Sequence, residues 1–390
     1  MNYILFDGQF RDNLLPLTYT KPVADLRIGI LTIREKWEKY LDSTTTSVTE
    51  DYLSEKFPMV ELEENVMINA SVLPTAEIVS MILSLKPQQA IFKNGELLAF
   101  FSLENQEAEL DTFEKMEFDK ELLIIRHTWD LFRLNGQALE ADFELITKDR
   151  KSAPIPETVH CINKDRIFLE EGVDISIGVL NAKNGPIYIG KNAEVHEGSM
   201  VRGPFAMGEY AVLKMGAKVY GPTTLGPKSK IGGEVNNAIL SGYCSKGHDG
   251  YLGNAVIGEW CNMGADSNNS NLKNTYAEVK MWDYSEERFV KTGLQFCGLV
   301  MGDHSKSGIN TMFNTGTVIG VSSNIYGSNF PRNFVPSFSW GGALGFKTYT
   351  LSKAIETAEI VIERKHENFT EVDKKIFEHI FELSSKYRTT

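Results

Sequence analysis

The sequence predicts a Rossmann-like α/β domain, then a left-handed parallel β-helix built on hexapeptides, then a C-terminal helix. Three observations predict this: a strict six-residue repeat in the middle of the chain, alternating short apolar runs and helical stretches before it, and helical apolar spacing after it. In the repeat, Ile189, Val195, Val201, Met207, Leu213, Val219, Leu225 and Ile231 are all apolar at a spacing of six. At 42% apolar content, eight matches in one fixed frame arise by chance roughly once in a thousand. Four positions after each of the first seven, Ala193, Ser199, Ala211, Ala217, Thr223 and Ser229 are small, with Phe205 the exception. Each unit then makes one short strand and one corner, and three units make a coil whose apolar residues fill a triangular prism. Such coils wind left-handed, an exception to the usual crossover hand.

The elements follow in order. Tyr3–Phe6 reads as a buried strand and residues 7–22 as a long loop. Ile30, Ile33, Trp37, Tyr40 and Leu41 mark one face of a helix, and residues 76–85 form another. Val66–Ile68, Ala90–Phe92 and Leu122–Ile125 read as further strands of a mainly parallel sheet. These place an α/β domain at residues 1–150, with the basic, proline-containing stretch 148–156 as linker. The β-helix spans 157–340. Its pattern weakens at 236–250, resumes at Leu252, Ile257 and Met263, and breaks at 271–294, a loop projecting from the prism. The segment FPRNFVPSFSWGG closes the open end. Residues 351–388 form a helical tail that packs on the prism or on a neighbouring subunit.

A formal net charge of −12 argues against a general affinity for nucleic acid or anionic lipid, while leaving room for a local basic pocket. No apolar run approaches membrane-spanning length, and the amino terminus lacks the features of a signal peptide. The expectation is a cytoplasmic protein. Cys161, Cys244, Cys261 and Cys297 show no metal spacing and read as buried free thiols.

Chemistry concentrates in GHDGYLGNAVIGEWCNMGAD, where His248 interrupts a repeat that otherwise avoids ionisable residues. A histidine on a glycine-flanked corner can take a proton from an amine, and a backbone N–H in the next coil can stabilise a developing oxyanion. His304, in MGDHSKSG, reads equally as a corner residue or a site contact, and His196 as solvated.

This segment resembles the acetyltransferase signature of the bifunctional UDP-N-acetylglucosamine pyrophosphorylase/glucosamine-1-phosphate N-acetyltransferases. Gly247, His248, Tyr251, Gly253, Ala255, Ile257, Gly258, Asn262, Gly264 and Ala265 match its core. The whole chain is similar to a divergent GlmU-like family of sugar nucleotidyltransferases of Bacteroidetes type, from ILFDGQFRDNLLPLTYTKPVADLRIGILTIREKW to FSWGG. The resemblance implies that His248 is the general base and that Tyr251, Asn262 and Asn271 bind the sugar phosphate. It implies that Gly264 and the amide of Ala265 face the acetyl group of acetyl-CoA, held between prisms of a homotrimer. Asn236 stands where the family has a lysine, so Lys214, Lys218 or Lys246 would supply that charge. Leu272 replaces a tyrosine, and Ile309 a serine near the coenzyme.

For the first domain the resemblance implies a nucleotidyltransferase-like fold. Gly8, Arg11 and Lys21 stand at the nucleotide-binding positions, although the G-x-G-T core is absent. If that domain is active, its partners are UTP and Mg²⁺, whose aspartate the sequence does not reveal. The implied function is N-acetyl transfer to a glucosamine-1-phosphate-like acceptor, bifunctional with sugar-1-phosphate nucleotidylyl transfer in UDP-N-acetylglucosamine synthesis. Two alternatives are open: a nucleotidyltransferase whose β-helix only trimerises, and a non-catalytic sugar-nucleotide binding protein.

Overall fold

The computed structural model describes residues 1–104 and 109–388. Contacts divide the chain into two units. The first contains Met1–Leu14, Thr20–Leu26 and Leu31–His127; the second contains Leu15–Tyr19, Arg27–Ile30 and the chain from Thr128 onward.

The first unit is built on a six-stranded sheet of β1 (Asn2–Phe6), β2 (Thr45–Val48), β3 (Glu64–Asn69), β4 (Gln89–Lys93), β5 (Glu96–Leu103) and β6 (Glu114–Glu117), in the order β2-β1-β3-β5-β4-β6. β1 lies parallel to β2 and to β3, and β4 to β6. β5 runs antiparallel between β3 and β4. Helices α1 (Ile33–Leu41) and α2 (Ala76–Leu83) begin at the threonine caps Thr32 and Thr75, whose side-chain oxygens accept otherwise orphaned helix amides. Trp37 of α1 is fully buried and donates its indole N–H to the Val72 carbonyl, 2.9 Å away, so an apolar body is buried without an unpaired donor. The apolar run at 122–125 forms no strand; Ile124 makes only an isolated bridge to Val72.

The second unit is a parallel β-helix built on the hexapeptide coils. All eight hexad residues from Ile189 to Ile231 are at most 3% exposed. Successive coils pair in parallel register, as in Val195↔Leu213 and Leu213↔Ile231, so the apolar residues stack in columns. Helix α3 (Thr128–Thr147) belongs to this unit and packs on the solenoid. Its buried Asn135 hydrogen-bonds Thr224 at 3.1 Å and accepts the Gly29 amide at 2.7 Å, while Asp142 accepts the Ile30 amide at 2.7 Å.

The projecting segment carries an antiparallel hairpin, Lys280–Asp283 with Arg288–Lys291. A second hairpin, Ser339–Gly342 with Gly345–Thr348, ends one face of the prism. It replaces an open parallel edge with a folded-back strand. The tail is two helices, α4 (Leu351–Glu363) and α5 (Glu371–Leu383). They cover the prism through Phe377, whose ring lies 5.0 Å from His304 and 6.0 Å from Phe338. The four cysteines are free, and three are buried. No helix among the described residues is long and apolar enough to cross a membrane.

Candidate functional site

One edge of the prism gathers most of the residues singled out by sequence. Strand Ser245–Lys246 pairs with Lys230–Ile231, so Gly247-His248-Asp249 forms the corner stacked on Gly232-Gly233. The next corner, Gly264-Ala265-Asp266, is tied to it by the Asp266 amide donating to the Asp249 carbonyl at 3.0 Å. The corner after that is tied on by the Asn310 amide donating to Ala265 at 2.8 Å. Lys214, which follows Leu213 as Gly232 follows Ile231, lies on this same edge two coils before His248. Met215, Gly233, His248, Ala265 and Ile309 therefore follow one another at this corner, and Lys214 stands one position earlier, in line with Gly247 and Gly264.

The His248 ring is exposed and has no hydrogen-bond partner among the described residues. The Ala265 amide also lacks an acceptor among them. Gly264 has to be glycine, because a Cβ there would collide with the Gly308 backbone.

Lys246 is the exception to the prism's chemistry. The register places it in the inward column of Ile231, where it is 1% exposed. Its Nζ donates to the carbonyls of Gly232 at 3.0 Å and His248 at 2.8 Å. Burial pulls its ammonium down to about 8, partly opposed by Asp249 and Asp266. The lysine reaches outward from the core and holds the His248 corner by its backbone.

Tyr251 begins the strand after the corner. Its hydroxyl accepts from Asn271 at 2.9 Å, and Asn271 also donates to the Asn254 side chain at 2.8 Å. Asn236 hydrogen-bonds the same tyrosine. Burial pushes the Tyr251 hydroxyl up, and the bonds to Asn236 and Asn271 pull it partly back. The ring lies across Gly253, where any Cβ would meet its hydroxyl. Asn268 and Asn269 serve the backbone: Asn268 accepts the Tyr251 amide at 2.7 Å, and Asn269 exchanges two hydrogen bonds with Gly253. Asn262 is exposed on the outer face, paired in register with Ser245 and Lys306.

Sequence reading missed Asn254 and the contact between Asn236 and Tyr251. Asn254 lies inside the His248 motif, between the matching Gly253 and Ala255, and this place was the available signal for it. His304 lies away from this corner, 7% exposed, stacked 6.1 Å from Trp260 and covered by Phe369 and Phe377. His196 sits beside Glu194 at 3.1 Å.

In the first unit the expected nucleotide residues gather where β1 ends, the edge at which parallel sheets bind ligands. Arg11 is 8% exposed and donates to Asp7 at 3.2 Å, to Asp12 at 3.4 Å and to the Tyr52 hydroxyl at 3.1 Å. Asp7 also accepts the Val23 amide at 2.7 Å and the Thr49 hydroxyl at 2.6 Å. Burial pushes the Asp7 carboxyl up, although Thr49, Val23 and Arg11 pull against it. Gly8 packs against the Asn69 side chain, and Lys21 is 6% exposed. Asp7, the carboxylate at this edge, is engaged by Arg11, Val23 and Thr49, and no group of three His, Cys, Asp or Glu side chains among the described residues could hold a metal ion; Mg²⁺ is ordinarily held by one or two carboxylates together with the substrate phosphates.

The molecule thus combines a hexapeptide solenoid, with a histidine corner, and an α/β unit. A family model described as sugar nucleotidyl transferase matches residues 3–151. No curated protein matches the chain. Among solved structures, the polySia specific acetyltransferase NeuO is similar at 12% identity and a TM-score of 0.25, covering 49% of this chain and 81% of that one. An Arabidopsis UDP-N-acetylglucosamine acyltransferase is similar at 16% identity and a TM-score of 0.26, covering 60% and 91%. The Campylobacter jejuni UDP-N-acetylglucosamine acyltransferase stands at 15% and 0.19, covering 59% and 96%. Likenesses this distant carry no conclusion about substrate.

Proposed function

We propose that the solenoid unit is a CoA-dependent N-acetyltransferase acting on an amino-sugar phosphate of the glucosamine-1-phosphate kind. The observation that carries this reading is the His248 corner, where an exposed imidazole without a partner stands one coil from the unbonded Ala265 amide. A buried lysine holds that corner in place. In the reaction the sugar amine attacks the thioester carbonyl while a His248 ring nitrogen takes the amine proton, forming the C–N bond. The Ala265 amide donates to the oxyanion. Collapse breaks the C–S bond, and the CoA sulfur leaves with the proton returned by His248. Tyr251, Asn262 and Asn271 position the acceptor, Lys214 lends positive charge along the same edge, and a homotrimer encloses acetyl-CoA between prisms.

Release of CoA thiol from acetyl-CoA with glucosamine-1-phosphate tests this. The wild type turns over and His248→Ala does not; equal rates in the two proteins would sink the assignment.

The family match over residues 3–151 favours a second activity in the first unit, nucleotidylyl transfer from UTP to a sugar 1-phosphate. For that step Arg11 would have to exchange Asp7 for a phosphate. Pyrophosphate release that survives His248→Ala and is lost in Arg11→Ala would establish it. Its absence with every nucleoside triphosphate would leave the unit without this role.

A further inference from the structure

A second concave site lies in the solenoid unit, at the base of the Lys280–Asp283/Arg288–Lys291 hairpin. It is a cleft of about 680 Å³ into which Lys273, Lys280 and Arg332 converge, and no carboxylate lines it. In a chain with a formal net charge of −12, three cations around one cavity are a marked local reversal of sign. Lys280 and Arg332 are exposed and form no ion pair among the described residues; the Lys273 ammonium donates only to the Glu278 carbonyl, at 2.8 Å. Within the hairpin Lys280 stands directly opposite Lys291, a cross-strand pairing of like charges that destabilises a two-stranded ribbon. Glu278 reaches Lys291 at 3.7 Å, leaving Lys280 without a counter-charge.

The walls are aromatic. Strand alternation puts Phe289 on the same hairpin face as Lys280, and the residue is 43% exposed. Phe334 forms the other wall, held rigid by stacking on Trp282 at 4.2 Å and 10°. Trp282 in turn meets Phe289 edge-on at 5.5 Å. Between these walls, Asn333 donates to the Thr315 carbonyl at 2.8 Å and fixes the coil beneath. Fixed aromatic faces beside unpaired cations match one ligand chemistry, a planar heterocycle carrying phosphates.

We propose that this cleft binds a nucleoside diphosphate moiety, with its base against Phe289 and Phe334 and its phosphates on Lys273, Lys280 and Arg332. None of its lining residues belongs to the His248 corner, and it does not depend on the function assigned there. The moiety could come from a free nucleotide or from the nucleotide end of a coenzyme thioester.

Calorimetric titration of the full-length protein with ADP, UDP and pyrophosphate tests the site. The wild type binds ADP or UDP saturably and pyrophosphate more weakly. Lys280→Glu/Arg332→Glu loses at least tenfold in nucleotide affinity. A control with the same net charge, Lys151→Glu/Lys183→Glu at exposed positions elsewhere, retains it. Phe289→Ala removes the preference for nucleotide over pyrophosphate. Displacement of ADP by CoA but not by pantetheine assigns the moiety to the coenzyme, and failure of CoA to displace it assigns a free nucleotide. No saturable binding, or equal binding in wild type and the cleft double variant, overturns the proposal. Pyrophosphate binding as tightly as ADP overturns the nucleotide assignment.

Discussion

The Arg11 turn and the His248 corner both place an ionisable side chain at the end of a short strand, and they satisfy it in opposite ways. Arg11 is buried and consumed by its own chain, through Asp7, Asp12 and Tyr52. His248 is exposed with its ring unbonded, while the cation beside it, Lys246, is buried and spent on backbone carbonyls. A group already paired must exchange partners before it can bind a ligand, which costs part of the binding energy. A group presented by a rigid corner need not. The comparison favours the corner as the chemically prepared site of the two.

The largest expected effect breaks or confirms that contrast directly. His248→Ala should lower acetyl transfer by about a hundredfold or more, as for loss of a general base, with an unchanged melting temperature because the ring is exposed. A fall in melting temperature that accounts for the lost rate would make His248 structural.

Lys246 gives the next effect, read as stability against pH. Its folded value of about 8 lies below the ordinary lysine value of about 10.4. Between those values the unfolded chain holds the proton that the folded one has released, so stability rises as pH climbs across this window. Relative to Lys246→Met, wild type should gain up to about 3 kcal/mol over the window. At neutral pH the methionine variant should be as stable or more so, since an apolar side chain suits the column, yet slower in acetyl transfer. Superimposable stability–pH curves would refute the buried-cation reading.

For the other site, Arg11→Ala should cost about 1–3 kcal/mol by leaving the buried Asp7 without its cation. The Asp7 carboxyl is already raised, so its ionised form weakens the fold and stability falls as pH rises through its folded value. Removing Arg11 enlarges that fall. Urea denaturation at pH 4 and pH 7 should show the greater loss at pH 7; an equal loss at both would mean that Arg11 acts through packing alone. The smallest effect belongs to Tyr251→Phe, which deletes the bond from Asn271 and should cost about 0.5–1.5 kcal/mol. A raised KM for the acceptor would accompany it if the cluster holds the sugar, whereas unchanged kinetics would confine Tyr251 to packing.

How much could be read in advance follows from the range of the interactions involved. The eight hexad residues are legible because a solenoid repeats one local environment, and every one of them is buried. Helices α1 and α2 carry their caps and periodicity within a dozen residues, and both form where the spacing puts them. The run at 122–125 has the composition of a strand but pairs only through the isolated bridge of Ile124 to Val72. β5 and the long α3 were not anticipated, because their roles come from distant partners: β3 and β4 for the strand, the solenoid for the helix. Of the candidate site, the His248 corner was visible in the motif, but the company of Tyr251 was only partly so.

What the sequence determined by itself is the architecture that rests on periodicity: the prism, its columns of apolar residues, the break at 271–294 and the glycine-flanked histidine. Only the tertiary structure decided which charges are free to act. Lys246 lies fifteen residues after Ile231, where a full coil has eighteen, and the register of the shortened coil turns it inward into an apolar column. Arg11 is claimed by carboxylates up to thirty-nine residues away, and Lys280 and Arg332 meet only because a hairpin folds beside a later coil. Periodicity is a local property of the chain, whereas the partner of a charge is fixed by which distant segments come within a few ångströms of it.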